Sequence, residues 1–331
     1  MNALDAAYAS TENIQMKAPR IPKHLYDSRR DGDAIRLASQ QLKPEPVEPP
    51  RTNCFSIYWL ESTGGELWAD AARHTFTPRS LLFFKPYQYI RITPTAPTDA
   101  VSIQFHANFL CVETFHADSG CAGELFNDSY NSPTVEFSKR DARAIAAIVK
   151  QMQQEFRERP QAFDQMLLAQ LKVLLITATR QKVQTAGNCA VGSRSARHPA
   201  IEPLKQLIDE HYPKLHAPSD YAKLLHMTPK TLGRVVREQL GKSLTDLIRE
   251  RILTHAKWQL LHTLKPVKQV SRDVGFTDEL YFSRLFKKAT GYSPTFFREF
   301  ETEIRGGSNL SMLSHPAPIR SGKRTADNSD S

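Results

Sequence analysis

Apolar residues come in two periods along this chain. Between about residues 53 and 137 they form short runs at 54–60, 66–69, 81–84, 89–92 and 101–105. Gly64, Gly65, Pro78, Pro86, Pro94 and Pro97 punctuate them. Several short strand-like runs at this spacing predict a β-sandwich or barrel. The period then becomes helical. Ser138 with Asp141 resembles a capping box ahead of Ile145, Ile148, Val149, Met152 and Phe156, a run that Pro160 stops. A second helix is predicted over about 161–180, with Leu167, Leu168, Leu171, Leu174, Leu175 and Ala178 on its apolar face. Residues 1–50 are polar and end in a proline-rich stretch, and they read as an irregular arm. Residues 183–198, with Gly187, Gly192, Ser193 and Ser195, read as a linker, and 304–331 as a disordered tail.

In the last third, positions 222–243 recur in type fifty residues later, at 272–293. Leu224 answers to Val274, Leu232 to Phe282, Arg234 to Arg284, Arg237 to Lys287, Gly241 to Gly291 and Ser243 to Ser293. Such a repeat suggests one supersecondary unit used twice. In the first copy Ser219 or Asp220 is placed to cap a helix with Tyr221, Leu224 and Leu225, and Thr228 to cap a second helix with Pro229 in its first turn. In the second copy a helix bearing Val267, Val270 and Val274 breaks at Gly275, and Asp278 caps the next, with Phe282, Leu285, Phe286 and Ala289 on one face. Two helices across a short turn make a helix-turn-helix unit. Between the copies, about 244–264 is one helix-compatible stretch. About twenty residues at 1.5 Å rise span roughly 30 Å, close to the ~34 Å between successive major-groove faces of B-DNA.

The segment Gly275-Phe276-Thr277-Asp278-Glu279-Leu280-Tyr281-Phe282-Ser283-Arg284-Leu285-Phe286-Lys287-Lys288, followed by Gly291-Tyr292-Ser293-Pro294 and Phe297-Arg298, resembles the second helix-turn-helix of the AraC/XylS family of bacterial transcription regulators. Upstream, Leu225-His226-Met227-Thr228-Pro229, Leu232, Arg234, Gly241, Ala256 and Leu260-Leu261 fit the first unit and the connecting helix. The resemblance covers residues 199–303 and implies that the second helix of each unit is a recognition helix. Matching positions place Lys230, Gly233 and Arg234 in the first, and Glu279, Leu280 and Arg284 in the second, nearest base edges. Arginine can donate two hydrogen bonds to a guanine, and a glutamate can accept from a cytosine amino group. Gly233 offers no side chain to read a base. Arg237, Lys242, Arg272, Lys287 and Lys288, at or near predicted helix ends, are candidates for phosphate contacts. The resemblance further implies a cupin-like sensor domain over 51–182, a homodimer through the two helices that follow the strands, and contact with RNA polymerase at a promoter, more often as activator. Those two helices serve equally as a simple closure of the barrel.

Composition agrees without deciding. The chain has 331 residues and a formal charge of +9, with an isoelectric point near 9.3, which favours a polyanionic partner such as double-stranded DNA. Four cysteines in this length make no disulfide framework. No apolar run reaches the ~18 residues of a membrane span. The N-terminus lacks the pattern of a signal peptide, so a cytoplasmic location is expected.

The predicted barrel interior, lined by Phe55, Ile57, Trp59, Trp68, Phe83 and Tyr89, is the expected pocket for a small-molecule effector. His106, Cys111, His116 and Cys121 fall at intervals of five. All four are metal-ligating types, but five residues return neither helix nor strand to the same face, so a shared ion would need looped backbone around Gly120 and Gly123. A metal- or thiol-responsive regulator therefore stands as the alternative to an organic effector, and no cofactor is otherwise expected. A cupin-type enzyme needs a facial ligand set that the chain lacks, and His74 reads as structural. The expected architecture is α+β and multidomain, with a cupin-like β-barrel and two helices followed by an all-α double helix-turn-helix domain.

Overall fold

The computed structural model describes residues 21–30, 32–111, 115, 125–126, 130, 132–192 and 198–305. It is α+β, with an N-terminal region of two antiparallel sheets and a C-terminal helical region. The strands are β1 Ile35–Leu42, β2 Phe55–Leu60, β3 Gly65–Ala69, β4 Ala72–Phe76, β5 Ser80–Phe84, β6 Ile90–Pro94, β7 Thr98–Phe105 and β8 Thr134–Glu136. One sheet has the order β1-β7-β2-β5-β8, the other β4-β3-β6.

Each expected strand run is present, and β1, β4 and β8 are additional. β1 lies inside the stretch read as irregular arm. Its sequence, IRLASQQL, buries only its first and last residues, so no alternation marks it. Backbone pairing with β7, from Ile35 opposite Phe105 to Leu42 opposite Thr98, holds it in the sheet. β4 returns from β3 through Asp70, whose φ of 54° makes the hairpin turn. The Asp70 carboxylate accepts from the Tyr89 backbone N–H at 3.0 Å, tying that turn to β6.

The larger sheet is buried on both sides, which is why β5 reads as an unbroken apolar run. Tyr58, Leu60, Leu82 and Phe84 face the smaller sheet, meeting Leu67, Phe76, Ile90 and Ile92. Ile57, Trp59, Leu81, Phe83 and Ile103 face the opposite way, against the helices α1 (Lys139–Glu158) and α2 (Phe163–Gly192), through Ile145, Val149, Met152, Leu171, Leu174 and Leu175. Ser138 caps α1, accepting from the Asp141 N–H, and Arg159 ends it at φ 47°. α2 runs on to residue 192, so the linker expected from 183 opens as helix. Residues 193–197 and the expected tail from 306 lie outside the described residues.

The helical region comprises α3 Ile201–His211, α4 Pro218–Leu224, α5 Pro229–Leu240, α6 Leu244–His262, α7 Val267–Asp273, α8 Glu279–Thr290 and α9 Pro294–Ile304. Leu232, Val235, Val236, Leu247, Ile248, Ile252, Val270, Phe282, Phe286, Phe297 and Phe300 form its core. No described helix is long and apolar enough to cross a membrane.

His74, on β4, is pushed down to about 4 by burial and then by the charges of Lys242 and Lys182. A histidine held below its free value of ~6.5 favours the neutral folded state. Its stabilisation is complete above the unfolded value and is lost as pH falls from about 6.5 toward 4. Discounted for its half-burial, the loss between pH 7 and pH 5 is expected to be about 1 kcal/mol, read as a lower urea midpoint. His74→Gln should remove that part of the pH dependence.

Candidate nucleic-acid interface

Two short helical pairs, α4–α5 and α7–α8, carry the candidate residues. Thr228 caps α5, accepting from the Thr231 N–H, with Pro229 in the first turn, and Gly241 ends it at φ 67°. Asp278 caps α8, accepting from the Leu280 and Tyr281 N–H groups, and Gly291 ends it at φ 89°. The capping residues thus recur in three dimensions as in sequence.

The register of the repeat is not uniform. α5 and α8 are related by fifty residues, but α4 and α7 by forty-nine. Met227 N–H bonds the Ala222 carbonyl as Phe276 N–H bonds that of Ser271, again forty-nine apart. The second turn is therefore one residue longer. Leu224, paired in sequence with Val274, is 44% exposed whereas Val274 is fully buried. Leu225 occupies the equivalent place, and His226, at φ 51°, stands where Gly275 has φ 93°. Nor does Ser219 or Asp220 cap α4. Its cap position is Ala217, without a side-chain bond, and Pro218 and Ser219 lie within the first turn.

Of the base-reading candidates, Lys230 and Arg234 on α5 and Leu280 and Arg284 on α8 are exposed, while Gly233 and Glu279 are half-buried. Arg234 lies 3.5 Å from Glu238, one turn on, in a solvated pair worth a few tenths of a kcal/mol. Leu280 is 73% exposed, unusual for a leucine with no assigned neighbour. Arg237, Arg272, Lys287 and Lys288 are exposed, as a phosphate contact requires. Lys242 is not. Its side chain is buried and donates to Glu250 at 2.8 Å, because the chain turns inward between Gly241 and Ser243 to start α6. Lys242 is an internal ion pair in this structure and not a surface cation.

α6 joins the two units with 19 residues, capped by Ser243, a length of roughly 28 Å at 1.5 Å per residue. Beside it opens a cavity of about 1620 Å³ bounded by α6, α8 and the turns of the smaller sheet. Lys257, Trp258, Arg284 and Lys288 line it from the helices, and Asp70, Lys85 and Tyr89 from the sheets. Burial draws the Lys257 ammonium down to about 8, with Asp70 opposing and Lys85 and Arg51 assisting.

The six residues expected to surround an effector do not converge. Ile57, Trp59 and Phe83 are core against α1 and α2. Trp68 lies on the face of β3 opposite the buried Leu67 and Ala69. Phe55 and Tyr89 line the cavity beside α6. The facing sides of the two sheets pack against each other through the side chains already named.

Of the histidine–cysteine set, His106 and Cys111 lie among the described residues. His106 is fully buried. Its Nδ1 accepts from the Asn108 N–H at 3.2 Å, and its Nε2 lies 3.4 Å from the Glu301 carboxylate on α9. With Nδ1 placed to accept from that backbone N–H, Nε2 is the ring nitrogen placed to donate to Glu301. Cys111 is half-buried beside the cavity. His116 and Cys121 lie outside the described residues, and among the described residues no three histidine, cysteine, aspartate or glutamate side chains gather to hold a metal.

Sequence reasoning missed Glu301. It is 2% exposed, accepts from the Tyr87 hydroxyl, and lies 3.3 Å from Arg305. Burial acts to raise its pKa, but His106, Arg305 and Tyr87 together hold it below the usual carboxylate value. The signal was available: with Phe297 four residues before it and Ile304 three after, Glu301 falls on the apolar face of α9.

Residues 221–299 match the helix-turn-helix domain family. The arabinose operon regulatory protein of Salmonella typhimurium is 39% identical over 94 residues, 28% of this chain and 34% of the relative. That of Escherichia coli K12 is 44% identical over 72 residues, 22% of this chain and 25% of the relative. The chain thus spans about a third or less of the length of these relatives. Among solved structures, the C-terminal domain of AraT, a response regulator from Geobacillus stearothermophilus, aligns over 38% of this chain and 98% of that one, with 27% identity and a TM-score of 0.33.

Proposed function

We propose that the chain is a sequence-specific DNA-binding regulator of the AraC/XylS type, a reading supported by the helix-turn-helix match over residues 221–299 and the similarity to the arabinose operon regulatory proteins. In this reading α5 and α8 enter adjacent major grooves of one duplex, and the promoter-bound protein contacts RNA polymerase as an activator. The observation that carries it is the pairing of two cation-bearing helices, each side-chain-capped at its start and ended by a glycine, with the 19-residue α6 between them. The α6 length of roughly 28 Å is close to the ~34 Å between successive major-groove faces. Lys230, Gly233 and Arg234 face the first groove, and Glu279, Leu280 and Arg284 the second. Arg237, Arg272, Lys287 and Lys288 hold the phosphates.

The N-terminal region is read as a cupin-like sensor domain. Since the facing sides of its sheets pack against each other, an effector would occupy the cavity beside α6. A second copy of the chain would cover the α2 face that leaves Met166 49% and Val173 50% exposed, seven residues apart.

The direct test is selection of binding sites by the full chain from a random duplex library. Two constrained segments centred about one helical turn apart are expected. Enrichment of no sequence, with binding that depends only on salt, would overturn the reading. With a selected duplex, Arg284→Ala should cost about 1–3 kcal/mol at one or two base pairs of one segment. A loss spread evenly over all sequences would make Arg284 a phosphate contact instead.

A further inference from the structure

The hydrogen bonds that cross from the two-sheet region to the helix pairs are unevenly placed. Arg51, between β1 and β2, donates to the Lys288 and Ala289 carbonyls at 2.9 Å each. These are among the last carbonyls of α8, which have no partner within the helix. A guanidinium there also meets the negative end of the helix dipole. On α9, Glu301 accepts from Tyr87 and His106, both from the sheet region. The Tyr87 ring lies edge-on to Tyr292 and Phe297. The Ile304 carbonyl, at the end of α9, accepts from Asn108 at 2.9 Å and Ser28 at 2.7 Å. The first helix pair meets the sheets differently: Gly241 sits so close to Arg73 that an added Cβ would stand 2.7 Å from the Arg73 carbonyl. That is surface contact and not a directional bond.

Resting on the DNA-binding reading above, we propose that the two-sheet region positions the second recognition helix, and not the first, through a two-point clamp. Arg51 fixes the C-terminal end of α8, and Tyr87 with His106 fixes Glu301 on α9. Arg51, Tyr87 and His106 are then positioning residues for recognition at the second segment of the DNA site. A change of state in the sheet region reaches that segment through directional bonds, and the first through the Gly241–Arg73 contact and along α6. The geometry suits this task. His106 begins the loop that follows β7, and Tyr87, at φ 64°, holds the β5–β6 turn. Movement of either element alters the seat of Glu301. Without Tyr87 and His106 the buried Glu301 carboxylate would keep only its local partner Arg305, so loss of the two sheet-region donors is costly.

The test uses the full chain and the variants Arg51→Ala, Arg51→Lys, Tyr87→Phe and Glu301→Gln. Without DNA, amide hydrogen exchange in the last turn of α8 and in α9 is expected to quicken about tenfold in Arg51→Ala and Tyr87→Phe, while α5 keeps the original rate. Equal change in α5, or none anywhere, overturns the clamp. With the selected duplex, discrimination within the α8 segment should fall about tenfold and that within the α5 segment persist, with Arg51→Lys recovering part of the loss. A loss shared by both segments assigns these residues to general stability and overturns the proposal. The exchange measurement involves no nucleic acid, so it separates failure of the clamp from failure of the DNA-binding reading. Glu301→Gln is the most disruptive variant. Tyr87→Phe and Arg51→Ala, one a single-atom change and the other at a half-buried position, carry the test if it does not fold.

Discussion

Gly275→Ala is expected to destabilise the helical region by about 3–5 kcal/mol, through left-handed strain and overpacking acting together. Gly275 has φ 93°, which an L side chain rarely adopts. A Cβ there would also stand 2.2 Å from the Pro213 carbonyl and 2.5 Å from the His216 ring. The carbonyl belongs to backbone and cannot step aside. Gly291→Ala separates the two contributions. Its φ is 89°, but the nearest atom to an added Cβ is in the Arg51 side chain at 3.9 Å, ordinary contact. That variant should lose only the conformational part, about 1–2 kcal/mol. Thermal unfolding of both, followed by circular dichroism, checks the difference. Equal losses would mean that the loop carrying Pro213 yields to the extra atom.

Glu250→Ala should cost about 3–5 kcal/mol, because it leaves the Lys242 ammonium buried without its partner. The Lys242 side chain is 6% exposed and that of Glu250 15%, at 2.8 Å. Replacing both at once, Lys242→Met with Glu250→Leu, removes two desolvated charges and fills similar space. That double variant should unfold within about 1 kcal/mol of the original chain. Urea midpoints of the two single changes and the double change give the coupling energy directly. If Glu250→Ala proved mild, Lys242 would be reaching solvent, and its place among phosphate contacts would be restored.

What could be read in the sequence depended on how local its cause was. The caps Thr228 and Asp278 act within three residues of themselves, so they were legible and stand where expected. The same holds for the apolar stripes of α5 and α8, set by helical period. β1 was illegible because its stability comes from pairing with β7, about sixty residues away in the chain. The candidate pocket failed for a related reason. Alternation within β2 and β5 shows that side chains part to two faces, but not that α1 and α2 cover one of them. A single residue of difference between the two turns escaped notice because the later helices and their caps keep a common offset.

By itself, then, the sequence determined the repeated helix pairs, the caps of α5 and α8, the length of α6 and the cationic residues on α5 and α8, all consequences of short-range periodicity and side-chain–backbone bonding. Only the tertiary structure decided that Lys242 faces inward, that His106 meets Glu301 on α9, and that Arg51 holds the end of α8. Those outcomes join residues up to 238 positions apart. No local pattern encodes such distances. They follow from how the two regions bury their facing surfaces and must then satisfy every polar group enclosed between them.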